Sequence, residues 1–125
     1  MQPEIGALPH VASLNLFEMI APSRTALVVI DIQSDFAGPD GMAGRIGLNR
    51  SAVEPMIDRI EMLLEAARAN ATPVFFARVI TRPETDSTAL KTLMQRRGRP
   101  GAEAICRAGS PGADFYRLAP RDGEG

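Results

Sequence analysis

The order of apolar and polar positions along the chain predicts a strand, a long helix and a second strand. Residues 26–30 form an unbroken apolar run, rich in β-branched side chains and too short for an independent helix, so we expect a strand buried on both faces. Over residues 53–67, apolar positions recur every three or four residues with charged residues opposite them, which predicts an amphipathic helix. Residues 74–79 predict the second strand. Because the segment from the helix back to the second strand is short, this strand–helix–strand unit is expected to be a right-handed crossover with parallel strands.

Local signals set the expected ends of the helix. Ser51 and Glu54 have the spacing of a capping box, in which the serine accepts from first-turn amides and the glutamate reaches back. Asn70 supplies a stop signal and Pro73 prevents continuation. We therefore expect a helix of about 18 residues.

The connecting segments are rich in glycine, proline and polar residues. Residues 37–50 carry four glycines but match no phosphate-binding glycine motif, and a long connection without its own structure is more often functional than filler. We expect a flexible flap over the crevice beyond the first strand; the alternative is a floppy insertion. Residues 87–97 predict a short helix, and residues 101–125 predict a short helix or turn that leads into a third strand.

Asp31 is the first candidate site residue because it ends the first predicted strand. Ligands of an open parallel sheet bind just beyond the carboxyl ends of its strands. An equally good alternative is that Asp31 and Asp35 merely cap a turn. Arg78, Thr81 and Arg82 lie at the same edge after the second strand. They are candidates for contact with an anionic or carbonyl group of a substrate, although such loop residues more often face water.

Two segments carry a family resemblance. The run Asp31-Ile32-Gln33-Ser34-Asp35-Phe36, preceded by a hydrophobic strand, resembles the opening signature of the isochorismatase-like cysteine hydrolases. The run Gly109-Ser110-Pro111-Gly112-Ala113, followed by Leu118-Ala119-Pro120, resembles that family's lead-in to its third strand. The family includes nicotinamidases, N-carbamoylsarcosine amidases, and ureidoacrylate and biuret hydrolases. The resemblance covers residues 25–125 and leaves residues 1–24 as an N-terminal arm.

The resemblance implies an α/β fold with a Rossmann-like, doubly wound parallel sheet, of which this chain carries the N-terminal portion. A βα unit takes about 30 residues, so there is room for about three strands. In the family the first strand is central, and a bare edge there would invite pairing. We therefore expect either a homo-oligomer or a second chain that carries the C-terminal half.

The implied chemistry is hydrolysis of the C–N bond of a small amide or ureido compound through a thioester, without a cofactor. The resemblance places the family's acid/base on Asp31. The family's lysine and nucleophilic cysteine have no match, because Lys91 and Cys106 are the only residues of their types and lie in the wrong segments. Cys106 is therefore expected to be a structural or surface thiol. Vinyl ether cleavage of the isochorismate type stays open.

Composition narrows the partners and the kinds of site. A net charge of −1 gives no electrostatic reason to expect nucleic acid or an anionic membrane surface, and no apolar run reaches the ~20 residues of a membrane span. One cysteine and one histidine, His10, provide neither a Cys-rich zinc site nor a histidine cluster, so we expect no metal. The lone cysteine and the lack of a basic leader favour the cytoplasm.

Two further functions stay open at this point. The chain is also compatible with a catalytically silent, truncated relative that acts as a binding or oligomerising module. An unrelated nucleotide-binding fragment that uses the glycine-rich segment is the third hypothesis.

Overall fold

One long helix packs against a two-stranded parallel sheet at the centre of the molecule. The computed structural model describes residues 15–125, so residues 1–14 of the predicted arm, including His10, lie outside it. The helices in this range are α1 (Leu16–Met19), α2 (Ser34–Ala37), α3 (Met42–Arg45), α4 (Val53–Ala69) and α5 (Thr88–Arg96), and the strands are β1 (Leu27–Ile30) and β2 (Val74–Ala77). Short 3-10 turns lie at Pro83–Thr85, Ala102–Ala104 and Pro111–Ala113.

The two strands are parallel, as predicted, and α4 is the crossover between them. Their register runs from Leu27 opposite Val74 to Ile30 opposite Ala77. The apolar stripe of α4 meets one face of this pair, and the core of the molecule lies between them: Val29, Ile32, Ala37, Ile57, Leu64, Ala67, Val74 and Leu118. The helical periodicity of the sequence therefore identified the surface that covers the sheet.

The other face of the sheet is bare among residues 15–125, so the expectation of a strand buried on both faces is wrong. Val28 is 50%, Ile30 60% and Phe75 47% exposed. Side chains alternate between the faces of a strand, and α4 covers only the face that carries Val29. The described residues form a small parallel sheet with a helix on one side, and the doubly wound arrangement stays a prediction.

The end of α4 agrees with the sequence, but its start does not. Asn70 follows the last helical residue, and its side-chain amide donates to the carbonyl oxygen of Ala66 at 2.8 Å. The predicted capping box is wrong, because Ala52 precedes the first helical residue and makes no side-chain cap. The amide of Ser51 instead donates to the side-chain oxygen of Asn49 at 3.0 Å, so Ser51 belongs to the turn before the helix.

Residues 37–50 are structured, which corrects the expectation of a connection without structure of its own. This segment contains the end of α2 and all of α3. A Cβ atom on Gly41 would lie 1.8 Å from the carbonyl oxygen of Ser34, so the two helices approach too closely for any other residue. The glycine-rich composition serves this close backbone packing.

The second half of the chain adds one helix and forms isolated bridges to the segments that follow both strands, at Gln33–Phe115 and Thr81–Arg107. Helix α5 matches the predicted helix and is capped by the hydroxyl of Ser87, which accepts from the amide of Leu90 at 3.1 Å. Gly125 pairs with β2, donating to the carbonyl oxygen of Val74 at 3.3 Å and accepting from the amide of Phe76 at 2.6 Å. Of the predicted third strand, residues 15–125 contain only this pairing of Gly125, which has the hydrogen-bond pattern of parallel strands.

Over residues 15–125, no helix is both long enough and apolar enough to cross a membrane. The longest, α4, has 17 residues. Charged side chains are spread along it, as on any helix with one solvated side.

Candidate functional site

Asp31 lies at the carboxyl end of β1, where the sequence predicted it. Its amide donates to the carbonyl oxygen of Ala77 at 2.9 Å, and its own carbonyl oxygen accepts from the amide of Gln33 at the same distance. Its φ is +59°, a left-handed conformation that costs an L-residue about 1 kcal/mol. Strain of this kind persists only where the surroundings enforce it and is concentrated at functional sites.

Within residues 15–125, the carboxylate of Asp31 has no bonding partner. It makes no hydrogen bond and no ion pair there, and the residue is half-buried at the end of the strand. Asp35 differs, because it is only 5% exposed and accepts from the amides of Met42 at 2.9 Å and Cys106 at 2.7 Å. The interpretation of these acids as turn-shaping residues therefore fits Asp35.

Gln33 is fully buried and joins three segments at this edge. Its side-chain nitrogen donates to the carbonyl oxygens of Val79 at 2.9 Å and Ala113 at 2.8 Å. Its side-chain oxygen accepts from the amide of Val79 at 2.8 Å. These bonds join the turn after Asp31 to the backbone at Val79 and Ala113, which agrees with the idea that Gln33 shapes the turn behind it.

Cys106 lies closer to the two acids than the sequence suggested. It is fully buried, and burial, followed by the charges of Asp35 and Asp31, raises the pKa of its thiol to about 11. A nucleophilic cysteine needs a thiolate, which a lowered pKa supplies. The surroundings of Cys106 do the opposite, so it is a structural thiol and not an activated one.

Arg78 and Arg82 are both exposed at the edge where the sequence placed them. The guanidinium of Arg78 lies over the ring of Phe115, 5.1 Å from its centroid. Phe115 also packs edge-on against Phe76, with ring centroids 5.5 Å apart. Arg82 forms no ion pair among the described residues, and its carbonyl oxygen accepts from the amide of Thr85 at 3.0 Å. Neither arginine is paired with Asp31.

A cavity of about 580 Å³ lies beside this edge, between α2, α3 and the turns near residues 104–112. Sequence reasoning missed it, because its walls come from segments about 70 residues apart. The residues that line it are Ser34, Asp35, Gly38, Pro39, Asp40, Gly41, Met42, Arg45, Ala104, Arg107, Ser110, Pro111, Gly112 and Tyr116. Asp31 is not among them.

Arg107, which lines the cavity, was not identified as a candidate from the sequence. Its Nη2 lies 2.6 Å from a carboxylate oxygen of Asp86, whose side chain is 5% exposed. This hydrogen bond is the main cause that lowers the pKa of Asp86 and raises the pKa of Arg107. The pair secures the loop after β2 to the wall of the cavity.

Histidine, cysteine and acidic side chains do not gather into a metal-binding group of three anywhere in the described range. Asp31 and Asp35 lie near each other in sequence, but the oxygens of Asp35 already accept from two backbone amides.

A parallel strand pair and the helix that crosses between the two strands define an α/β protein. The Isochorismatase domain family model matches residues 25–124. The chain belongs to the isochorismatase family.

Similar proteins share the first half of this match. The ureidoacrylate amidohydrolase RutB of Methylobacterium radiotolerans is 40% identical over 55 residues, which are 44% of this chain and 21% of that protein. The proteins of the same name from Serratia proteamaculans and Stutzerimonas stutzeri are 39% identical over 56 residues and 41% identical over 54. Those matches cover 45% and 43% of this chain and 23% and 22% of the relatives. The chain thus spans about a fifth of the length of these curated relatives.

Proposed function

We propose that the protein contributes to hydrolysis of the C–N bond in a small, non-peptide amide or ureido compound, with Asp31 as general base. The observation that carries the proposal is the carboxylate of Asp31, which has no partner within residues 15–125 and lies at the carboxyl end of β1 in a left-handed conformation. Membership of the isochorismatase family and the amidohydrolase names of the relatives support the reaction class.

The proposed reaction begins when a cysteine thiol attacks the carbonyl carbon and Asp31 takes the thiol proton. The C–N bond then breaks, the nitrogen leaves as ammonia or amine with that proton, and a thioester remains. Water adds to the thioester while Asp31 accepts one of its protons. The thioester C–S bond then breaks, Asp31 returns its proton to the departing sulfur to restore the thiol, and the acid product leaves.

We place the nucleophilic cysteine and the lysine of the family's triad outside these 125 residues. Cys106 is the only cysteine and Lys91 the only lysine present. The pKa of Cys106 is raised to about 11, and Lys91 is exposed on α5. A second polypeptide, or more of the same one, is the proposed source of both groups.

A binding or oligomerising module without catalysis is the second candidate. The bare sheet face with Val28, Ile30 and Phe75 favours it, because an exposed apolar face of this kind commonly serves association. The two candidates differ in whether ammonia is ever released.

The test is an ammonia-release assay on a panel of small amides and ureides. The 125-residue chain alone is compared with the tagged chain recovered from the cells that make it, together with whatever accompanies it. We expect release only from the recovered assembly, and on at least one panel member. No release from either preparation would reject the hydrolase and leave the silent module.

A further inference from the structure

Two residues with left-handed backbones lie opposite each other at the carboxyl end of β1. Asp31 has a φ of +59° and Arg117 a φ of +60°. Gln33 and Phe115 form an antiparallel bridge, and two positions outward from that bridge the same register places Asp31 opposite Arg117. A left-handed L-residue is strained, and the strain persists only where surrounding contacts enforce it. The contacts that hold Arg117 therefore bear on Asp31.

A direct backbone hydrogen bond connects the two turns. The amide of Tyr116, which precedes Arg117, donates to the carbonyl oxygen of Ile32, which follows Asp31, at 2.9 Å. The two bonded residues are thus the immediate neighbours of the two left-handed ones. A change in the backbone at residue 117 is passed by this bond to the backbone next to Asp31.

The segment with Arg117 is anchored to the first half of α4 by side chains. The guanidinium of Arg117 lies 2.5 Å from a carboxylate oxygen of Glu54. It also lies 2.8 Å from Asp58 and 3.7 Å from Glu61. The hydroxyl of Tyr116 donates to the other carboxylate oxygen of Glu54 at 2.8 Å. A single exposed ion pair contributes little, whereas a network of several charges contributes more, so α4 holds this turn in place.

We propose that Arg117 is a positioning residue for Asp31. Its anchors on α4 keep the backbone at residue 117 left-handed, and the antiparallel pairing imposes the matching conformation on Asp31. Arg117 acts on the proposed general base only through the backbone. The effect on hydrolysis rests on the proposed function, whereas the link between the two turns does not.

Hydrogen-exchange mass spectrometry of the 125-residue chain tests that link. In Arg117→Ala we expect exchange to rise at least about tenfold in the peptides that cover residues 31–36 and 113–118. The peptide that covers residues 60–67 of α4 should keep its wild-type exchange, because the fold as a whole is retained. A rise over residues 113–118 alone, or an equal rise over residues 60–67, would refute the link.

Arg121→Ala is the matched control for this experiment. Arg121 belongs to the same segment and pairs with Glu65 of α4 at 2.8 Å, but it lies beyond the antiparallel pairing. We expect it to leave exchange over residues 31–36 at the wild-type rate. An effect there as large as that of Arg117→Ala would show that any anchor of the segment suffices, and it would refute the specific role of Arg117.

A second variant removes the anchors from the other side. Glu54→Gln combined with Asp58→Asn takes both charges from α4 and leaves residues 113–118 unaltered. It should raise exchange over residues 31–36 and 113–118 as Arg117→Ala does. Should Arg117→Ala not fold, this variant decides the question, because unchanged exchange over residues 31–36 would refute anchoring by α4.

Double-mutant kinetics of the recovered assembly test whether Arg117 acts through Asp31. Arg117→Ala should lower kcat for ammonia release about tenfold and leave KM within about twofold. Added to Asp31→Asn, it should cause no further loss, because positioning matters only while the base is present. A further tenfold loss in the double variant would refute the positioning role. No ammonia release by the wild-type assembly would instead reject the proposed function, and the exchange experiment would still decide the link between the two turns.

Discussion

At the end of β1, three polar side chains within five residues have three different positions and roles. Asp31 has a carboxylate without a partner in the described range, whereas Gln33 is fully buried and bonded at both ends of its amide. Asp35 is buried and accepts from two distant amides. Asp31 is therefore the residue that we propose for the chemistry, while Gln33 and Asp35 hold backbone segments together.

Gln33→Met tests this division of roles. The substitution keeps volume but removes three hydrogen bonds, and it leaves the buried carbonyl of Ala113 without its partner. We expect unfolding free energy to fall by about 2 kcal/mol, measured by urea denaturation. Gln95→Met, on the exposed side of α5, should change it by less than about 0.5 kcal/mol. An equal loss of unfolding free energy in the two variants would contradict the role of Gln33 in holding these segments together.

Cys106 should be unreactive in the native protein. It is fully buried and the pKa of its thiol is raised to about 11, so thiolate is scarce at neutral pH. We expect iodoacetamide to label the urea-unfolded chain at least about a hundredfold faster than the folded chain at the same pH. Fast labelling of the folded protein would reopen Cys106 as a nucleophile.

At the scale of single residues, the sequence predicted where side chains lie better than it predicted their hydrogen-bond partners. Asp31 was predictable, because a buried apolar run that stops at an acid places it at the strand end. The engagement of Asp35 was not, because its partner Cys106 lies 71 residues away. The proximity of Cys106 to the acids has no signal in a single sequence.

Among the elements, those with a clear apolar pattern were predicted and the others were not. Helix α4, strand β2 and helix α5 follow from their apolar residues, whereas the cap at Ser87 was seen only in the structure. The start of α4 was missed because Asn49 competes for the amide of Ser51. The structure of residues 37–50 was not predicted, because a glycine-rich segment suggests flexibility. The glycines are needed instead for close contact between α2 and α3, a tertiary feature that the local sequence does not show.

Ion pairs secure the C-terminal segment, residues 116–124, along α4. Arg117 lies 2.5 Å from Glu54 and 2.8 Å from Asp58. Arg121 lies 2.8 Å from Glu65. At the far end, Arg68 contacts Glu124 at 2.7 Å, and both side chains are largely buried. These pairs join segments about 60 residues apart, so the sequence alone did not reveal them.

The Arg68–Glu124 pair predicts a response to acid. Its hydrogen bonds are the main cause that lowers the pKa of Glu124 from 4.5 to about 2. Because the folded value is below the unfolded one, the pair stabilises the fold above about pH 4.5 and loses its contribution as pH falls towards 2. We expect Glu124→Gln to lower the melting temperature at neutral pH and to reduce its fall on acidification.

Glu84→Gln is the matched control for that experiment, because Glu84 is exposed and forms no ion pair within residues 15–125. Its melting curve against pH should follow that of the wild type. If Glu124→Gln also follows the wild type, the pair does not stabilise the fold.

At the scale of the whole molecule, the dominant feature of residues 15–125 is a parallel sheet covered on one side only. Parallel sheets are normally covered on both faces, and Val28, Ile30 and Phe75 leave one apolar face exposed. The sequence predicted the strand pair and its handedness from the crossover. The family resemblance led us to expect an exposed apolar face where later strands are missing, whereas periodicity in β1 alone predicted burial on both faces.

The bare face predicts that the isolated chain self-associates. We expect sedimentation to show concentration-dependent oligomers, and Ile30→Lys to shift them towards monomer by placing a charge on the exposed face. Leu63→Lys, at a 56% exposed position on α4, should leave the association unchanged. A monodisperse wild-type monomer would contradict this expectation.

The most direct measurement of the central claim is kcat/KM for ammonia release by the complete assembly that carries Asp31→Asn. If Asp31 is the general base, the variant should lose about 10²- to 10⁴-fold, while Asp122→Asn, at an exposed position, retains wild-type kinetics. Retention of full activity in Asp31→Asn would contradict the account.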